Sequence, residues 1–203
     1  MPKIVIIDYG VGNLRSISKA LEETGATPVI SKLGQEIHAA DALILPGVGA
    51  FEEAVKHLKP ISQLILEEID SGKPLLGICL GLQLLFTAST EGGLRKGLNV
   101  FNGKVVRLPK DLKIPHIGWN TLKVLRPENP ILNSVPDGSY VYFVHSYYAQ
   151  VECRDHVIAE TEYSIRFPSI IAKGRIFATQ FHPEKSAAVG LRMIGNFVNY
   201  VKA

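Results

Sequence analysis

Apolar residues in the first half of the chain fall into short unbroken runs, separated by longer stretches with helical spacing. Residues 3–10 (KIVIIDYG) form an apolar run of strand length that ends in Asp-Tyr-Gly, a turn signal. Leu14, Ile17 and Leu21 then share one helical face, with Asn13 placed to cap the helix start and Gly25 to end it. TPVIS (27–31) and DALILPG (41–47) read as two more strands. FEEAVKHL (51–58) and ISQLILEEIDSG (61–72) read as helix, and KPLLGIC (73–79) as strand again. Strands without alternation, separated by helices, predict a parallel sheet covered on both faces.

Beyond Gly92 the pattern changes. Residues 99–109, 119–125, 139–151, 156–163, 169–174 and 175–183 alternate or cluster β-branched and aromatic residues between turns, which predicts a mostly antiparallel stretch. SAAVGLRMIGNFVNYVKA (186–203) closes the chain as a helix with Ser186 at its N-cap. No repeat, low-complexity tract or linker interrupts this order. The expectation is one domain over 1–203, α/β in class, with a doubly wound main sheet and an antiparallel extension.

Composition narrows the possibilities only a little. A hydrophobic fraction of 46% is ordinary for a globular protein. The net charge of +3 comes from dispersed residues with no basic run, which argues against a nucleic-acid partner. MPKIVIIDYG lacks the long apolar core and cleavage site of a secretory signal, and no stretch approaches the length of a membrane span. With only Cys79 and Cys153, no disulfide framework is implied, so a cytoplasmic location is expected. Cys153 is assigned no role beyond packing.

Cys79 is placed differently. Gly77-Ile78-Cys79-Leu80-Gly81 sits where a strand hands over to a helix, the form of a nucleophile elbow. The free N–H groups of the new helix would favour the thiolate, and the Leu80 amide would point where an oxyanion forms. Taken alone, a small buried cysteine inert in the core fits equally well. A thiol needs a base, and FHPEKS (181–186) supplies His182 with Glu184 two residues on. In extended chain the two side chains project to one side, so Glu184 can fix the tautomer of the imidazole. A solvated His-Pro turn is the plain alternative. His38, His57 and His156 stand in polar contexts and read as surface residues. LILPGVGAF (43–51) ends a strand in a side-chain-poor loop, and its amides at Val48 and Gly49 can complete an oxyanion hole with Leu80. The segment fits a simple tight turn as well.

Together, GICLGLQ around Cys79, the PGVGAF loop and FHPE resemble the class I (triad) glutamine amidotransferases, whose fold is a flavodoxin-like doubly wound sheet. DYGVGNL (8–14), PHIGWN (115–120), YFVHSYY (142–148) and FHPEKS narrow the resemblance to the glutaminase subunits of imidazole glycerol phosphate synthases. The likeness spans nearly the whole chain. It implies Cys79 as nucleophile, His182 as general base and acid, and Glu184 as its orienting partner, with glutamine as substrate and no metal or other cofactor. Gln83 and the backbone of Ser146 and Tyr147 are implied substrate contacts. The partner implied is a separate (β/α)8-barrel cyclase subunit, with Asn13, Trp119 and Lys185 expected at the shared interface. No P-loop or dinucleotide fingerprint equips this chain to bind a nucleotide by itself.

Three other readings compete. One is a glutaminase that serves the synthesis of pyridoxal phosphate, anthranilate or guanylate instead. A cysteine peptidase or γ-glutamyl hydrolase on the same fold would use the same thiol. A non-catalytic flavodoxin-like interaction module would leave Cys79 inert, and would have no need of three coordinated motifs at one sheet edge.

Overall fold

The computed structural model describes residues 1–203. In chain order it begins with β1 (Lys3–Ile7), α1 (Leu14–Glu23), β2 (Thr27–Ser31), α2 (Gly34–His38), β3 (Ala42–Leu45), α3 (Phe51–Asp70), β4 (Leu75–Ile78) and α4 (Leu80–Leu84). There follow β5 (Phe86–Ser89), β6 (Arg95–Lys96), β7 (Phe101–Arg107), β8 (His116–Thr121), β9 (Lys123–Val124), β10 (Tyr140–His145) and β11 (Tyr147–Val151). The chain closes with β12 (Val157–Tyr163), β13 (Ile165–Lys173), β14 (Ile176–Thr179) and α5 (Ala187–Lys202).

Eight strands form the main sheet in the order β2-β1-β3-β4-β14-β13-β12-β9. The first five are parallel and the last three join antiparallel. Side chains alternate across the pleat, and both faces are covered. Ile4, Ile6, Ile44 and Leu76 pack with Ile17 and Leu21 of α1 and Phe197 of α5. Val5, Ile7, Leu43 and Leu45 pack with Ile37 of α2 and with Phe51, Leu58 and Ile65 of α3. Burial on both sides is why β3 and β4 read as continuous apolar runs. No helix is long and apolar enough to cross a membrane.

Several expectations need correction. The two helical segments at 51–72 are one helix, which runs through Pro60 because its buried face continues on either side. The five-residue α2 was not foreseen; with only Ile37 buried it carries no periodicity to read. The helix after Cys79 lasts five residues before the chain leaves for β5. Residues 139–151 are two strands in different sheets, β10 paired with β8 and β11 with β7. The C-terminal half is antiparallel except where β14 joins β4 and β7 joins β5 in parallel.

Asn13 and Ser186 occupy N-cap positions without making side-chain cap bonds. The Ser186 hydroxyl instead donates to the His182 carbonyl at 2.7 Å and accepts from Tyr142 N–H at 2.9 Å, tying the 181–186 turn to β10. His156 is half-buried against Phe101 rather than a surface residue. Cys153 is exposed, not packed.

The short α4 is seated directly on the end of β3. At Gly81 any Cβ would overlap the Leu45 carbonyl, so only glycine allows the approach that brings the residue before the helix to the sheet edge. Gly81→Ala is expected to lower the unfolding free energy by about 1–3 kcal/mol through overpacking, read from denaturant midpoints. An unchanged midpoint would contradict this contact.

Candidate active site

Cys79 follows β4 with its backbone at φ 53° and ψ −105°. Such a conformation costs a non-glycine residue about 1–3 kcal/mol and persists only where the surroundings enforce it. Here the Cys79 N–H donates to the Thr179 carbonyl at 2.7 Å, and the Cys79 carbonyl accepts from Gln83 N–H at 3.2 Å. The sharp turn puts the cysteine on a cavity of about 310 Å³ at the carboxyl edge of the parallel strands. Sγ lies 3.7 Å from the Val144 carbonyl oxygen and 3.8 Å from Gln180 Nε2.

His182 lines the same cavity. Its Nδ1 lies 2.9 Å from Glu184 Oε1, and the two side chains are 3% and 1% exposed. A carboxylate accepts, so Nδ1 carries the hydrogen and Nε2 is left for chemistry. The pair meets by a different route from the one expected: residues Pro183–Lys185 form a 3-10 turn, with only His182 itself extended. Burial pulls the imidazole toward its neutral form. Interaction with the Cys79 sulfur and with Glu184 outweighs that and raises its pKa to about 10. The five-residue α4 is too short to contribute much of a dipole, and the His182 imidazolium is the cation that interacts with the sulfur.

Val48, Gly49 and Leu80 also line the cavity. None of their three amides donates to a backbone carbonyl. A Cβ at Gly47 would stand 2.6 Å from Leu80 Cβ, so its absence lets the loop rest on the start of α4. The Tyr9 hydroxyl donates to the Pro46 carbonyl and anchors the base of that loop. Burial, and after it the charge of the nearby sulfur, keeps this hydroxyl protonated and therefore a donor.

Gln83, Ser146, Tyr147 and Lys185 reach the cavity as well. The Tyr147 carbonyl is occupied inside the protein, accepting from Gln83 Nε2 at 3.0 Å and from His145 Nδ1 at 2.9 Å. Asn13 and Trp119 lie outside the cavity lining. Trp119 is 51% exposed beside the equally bare Ile117, and packs edge-on against Tyr142 at 5.8 Å. Sequence reasoning missed Glu91, His145 and Gln180. Glu91 accepts from Phe51 N–H at 3.1 Å and brings a carboxylate to the cavity from the loop after β5. No group of three or more His, Cys, Asp or Glu residues is arranged to hold a metal ion.

Comparison with known proteins identifies the family. The family model "Glutamine amidotransferase class-I" matches residues 5–200. The chain belongs to that family.

Among the amidotransferases it resembles are "Imidazole glycerol phosphate synthase subunit HisH" proteins. That of Methanosarcina mazei is 51% identical over 201 residues, covering 98% of each chain. That of Archaeoglobus fulgidus is also 51% identical, covering 98% of this chain and 99% of the relative. Solved structures share the fold at low identity. One described as a glutamine amidotransferase superposes with a TM-score of 0.77 at 19% identity, over 98% of this chain and 99% of that one. PurLQS from Thermotoga maritima gives 0.75 at 21%, over 98% of each.

The raised pKa has a sign that can be checked in this amidotransferase. Stability from protonated His182 is fully present below its unfolded value, about 6.5, and is lost as pH rises through about 10. Cys79→Ala removes the sulfur's contribution, so the His182 titration followed by NMR should move to lower pH. A titration left in place by the substitution would contradict the pairing.

Proposed function

We propose that the chain is the glutaminase subunit of an imidazole glycerol phosphate synthase, acting in histidine biosynthesis, with residues 1–203 working as one domain in the cytoplasm. The observation that carries this reading is a strained, cavity-lining cysteine sharing about 310 Å³ with a buried His182–Glu184 pair. Relatives at about half identity over nearly full length support the HisH assignment over synthases of pyridoxal phosphate, anthranilate or guanylate.

The reaction follows from the groups present. Cys79 Sγ attacks the side-chain carboxamide carbon of glutamine, and the carbonyl electron pair moves onto oxygen. The amides of Leu80, Val48 and Gly49 receive that oxyanion. Protonated His182 gives its proton to the leaving nitrogen, the C–N bond breaks, and ammonia departs. Neutral His182 then takes a proton from water, which attacks the thioester and releases glutamate. Glu184 holds the ring in the tautomer both steps require. Glu91 offers a counter-charge for the substrate's ammonium group.

Ammonia freed into water would be protonated and diluted, so release next to an acceptor is favoured. The acceptor is a (β/α)8-barrel cyclase subunit, docked on a face that includes Asn13, Trp119 and Lys185. Exposed Trp119 and Ile117 suit such an anchor.

Cys79→Ala should abolish glutamine-dependent synthesis by the complex while synthesis from added ammonium salt persists. Surviving glutamine use would overturn the nucleophile assignment. Glutamate release should be low in the isolated chain and should rise at least tenfold when the ligand-loaded cyclase docks. Equal rates would remove the coupling.

A further inference from the structure

β8 and β10 run antiparallel with His116 directly opposite His145, which brings two buried imidazoles together on one face. His116 Nδ1 lies 3.0 Å from His145 Nε2, and His145 Nδ1 lies 2.9 Å from the Tyr147 carbonyl. A carbonyl oxygen only accepts, so His145 Nδ1 carries the hydrogen and its Nε2, in the neutral ring, accepts. His116 Nδ1 is then the donor between the rings, and His116 Nε2 accepts from Asn120 Nδ2 at 3.4 Å. Asn120 Nδ2 also donates to the Glu162 carbonyl at 2.9 Å, which fixes the orientation of that amide.

The same logic continues on the other side of the carbonyl. Tyr147 accepts a second hydrogen bond, from Gln83 Nε2 at 3.0 Å. That sets the Gln83 amide, whose Nε2 also lies 3.4 Å from Gln180 Oε1, and leaves Gln83 Oε1 as the acceptor offered to the cavity. Gln180 must therefore turn its NH2 away, and Nε2 comes to 3.8 Å from Cys79 Sγ. The Tyr147 carbonyl, which only accepts, fixes the direction of the hydrogen bonds on both of its sides: through His145 to His116, and through Gln83 to Gln180 beside the sulfur.

The rings are built to stay uncharged. Phe143 and Tyr163 stack on His116 with centroids at 4.9 and 4.1 Å, and Phe167 lies 5.0 Å from His145. The titratable groups facing His145 are His116 and His182, both of which oppose a positive charge, and no carboxylate bonds to either ring. Burial lowers His116 to about 4 and His145 to about 3.

We propose that His116 and His145 are positioning residues for glutamine hydrolysis: they set the Tyr147 carbonyl, and through it the amides of Gln83 and Gln180 beside the Cys79 sulfur. The chain starts on β8, whose outer positions Ile117 and Trp119 are bare. It therefore joins the docking face to the glutamine pocket through directed hydrogen bonds. The proposal rests on the glutaminase reading of the cavity.

The test compares His145→Leu, which removes the donor to Tyr147, with His145→Asn, whose Nδ2 can stand near the lost Nδ1–H. In the complex, the Leu variant should lower glutamine kcat/KM about tenfold, chiefly through KM, as loss of one buried hydrogen bond predicts. The Asn variant should recover most of that loss, and ammonium-dependent synthesis should be unchanged in both. Unchanged glutamine kinetics in the Leu variant, or no recovery in the Asn variant, would overturn the proposal. A second measurement needs no variant: 15N NMR of the unsubstituted chain should find both rings neutral in the Nδ1–H tautomer at neutral pH. An Nε2–H or charged ring at either position would overturn the relay whatever the kinetics. An unsubstituted complex that uses no glutamine would instead overturn the glutaminase reading, with the tautomers still readable.

Discussion

Cys79 holds a backbone conformation that its own side chain disfavours, and the surrounding architecture is arranged so that it cannot relax. The strand before it is locked between β3 and β14. The helix after it rests on the Leu45 carbonyl through the bare Cα of Gly81. Relaxing the turn would break the Cys79–Thr179 hydrogen bond and lift α4 off the sheet. Strain of about 1–3 kcal/mol is thus held by the surrounding packing, and the result is a cysteine held on the cavity that His182 also lines. The loop of residues 46–49 depends on the same contact, since Gly47 lies against Leu80 and Tyr9 holds Pro46 from below.

Three buried histidines near this turn show that burial favours the neutral ring unless charged neighbours outweigh it. His182, His145 and His116 are each no more than 5% exposed. His182 faces a sulfur and a carboxylate, and its pKa rises to about 10. His145 has no such partner: burial, helped by the two other imidazoles and only partly opposed by the Tyr147 carbonyl, lowers it to about 3. The cation is therefore confined to the ring paired with Glu184, while the other two serve as directional hydrogen-bonding groups.

The elements legible in the sequence were those whose signal is local. The parallel strands announced themselves by unbroken apolar runs, and the elbow by glycines flanking a cysteine where a strand ends. His182 and Glu184 were legible because only Pro183 separates them, although a 3-10 turn rather than extended chain joins them. The one-turn length of α4 was not legible: LGLQLLF suits helix or strand equally, and only pairing of Phe86 with Phe101 pulls the chain away. Asn13 and Ser186 fit the N-cap preference, yet tertiary contacts claim the Ser186 hydroxyl. The His116–His145 pair was invisible because it exists only in the register of two strands about thirty residues apart, and each histidine alone reads as a polar residue in a strand.

The most direct measurement of the central claim is covalent labelling by an electrophilic diazoketone analogue of glutamine in the cyclase complex, read by mass spectrometry. The account predicts a single adduct on Cys79, none on the exposed Cys153, and full protection by glutamine. Labelling of Cys153 ahead of Cys79, or modification of Cys79 that glutamine does not slow, would contradict it.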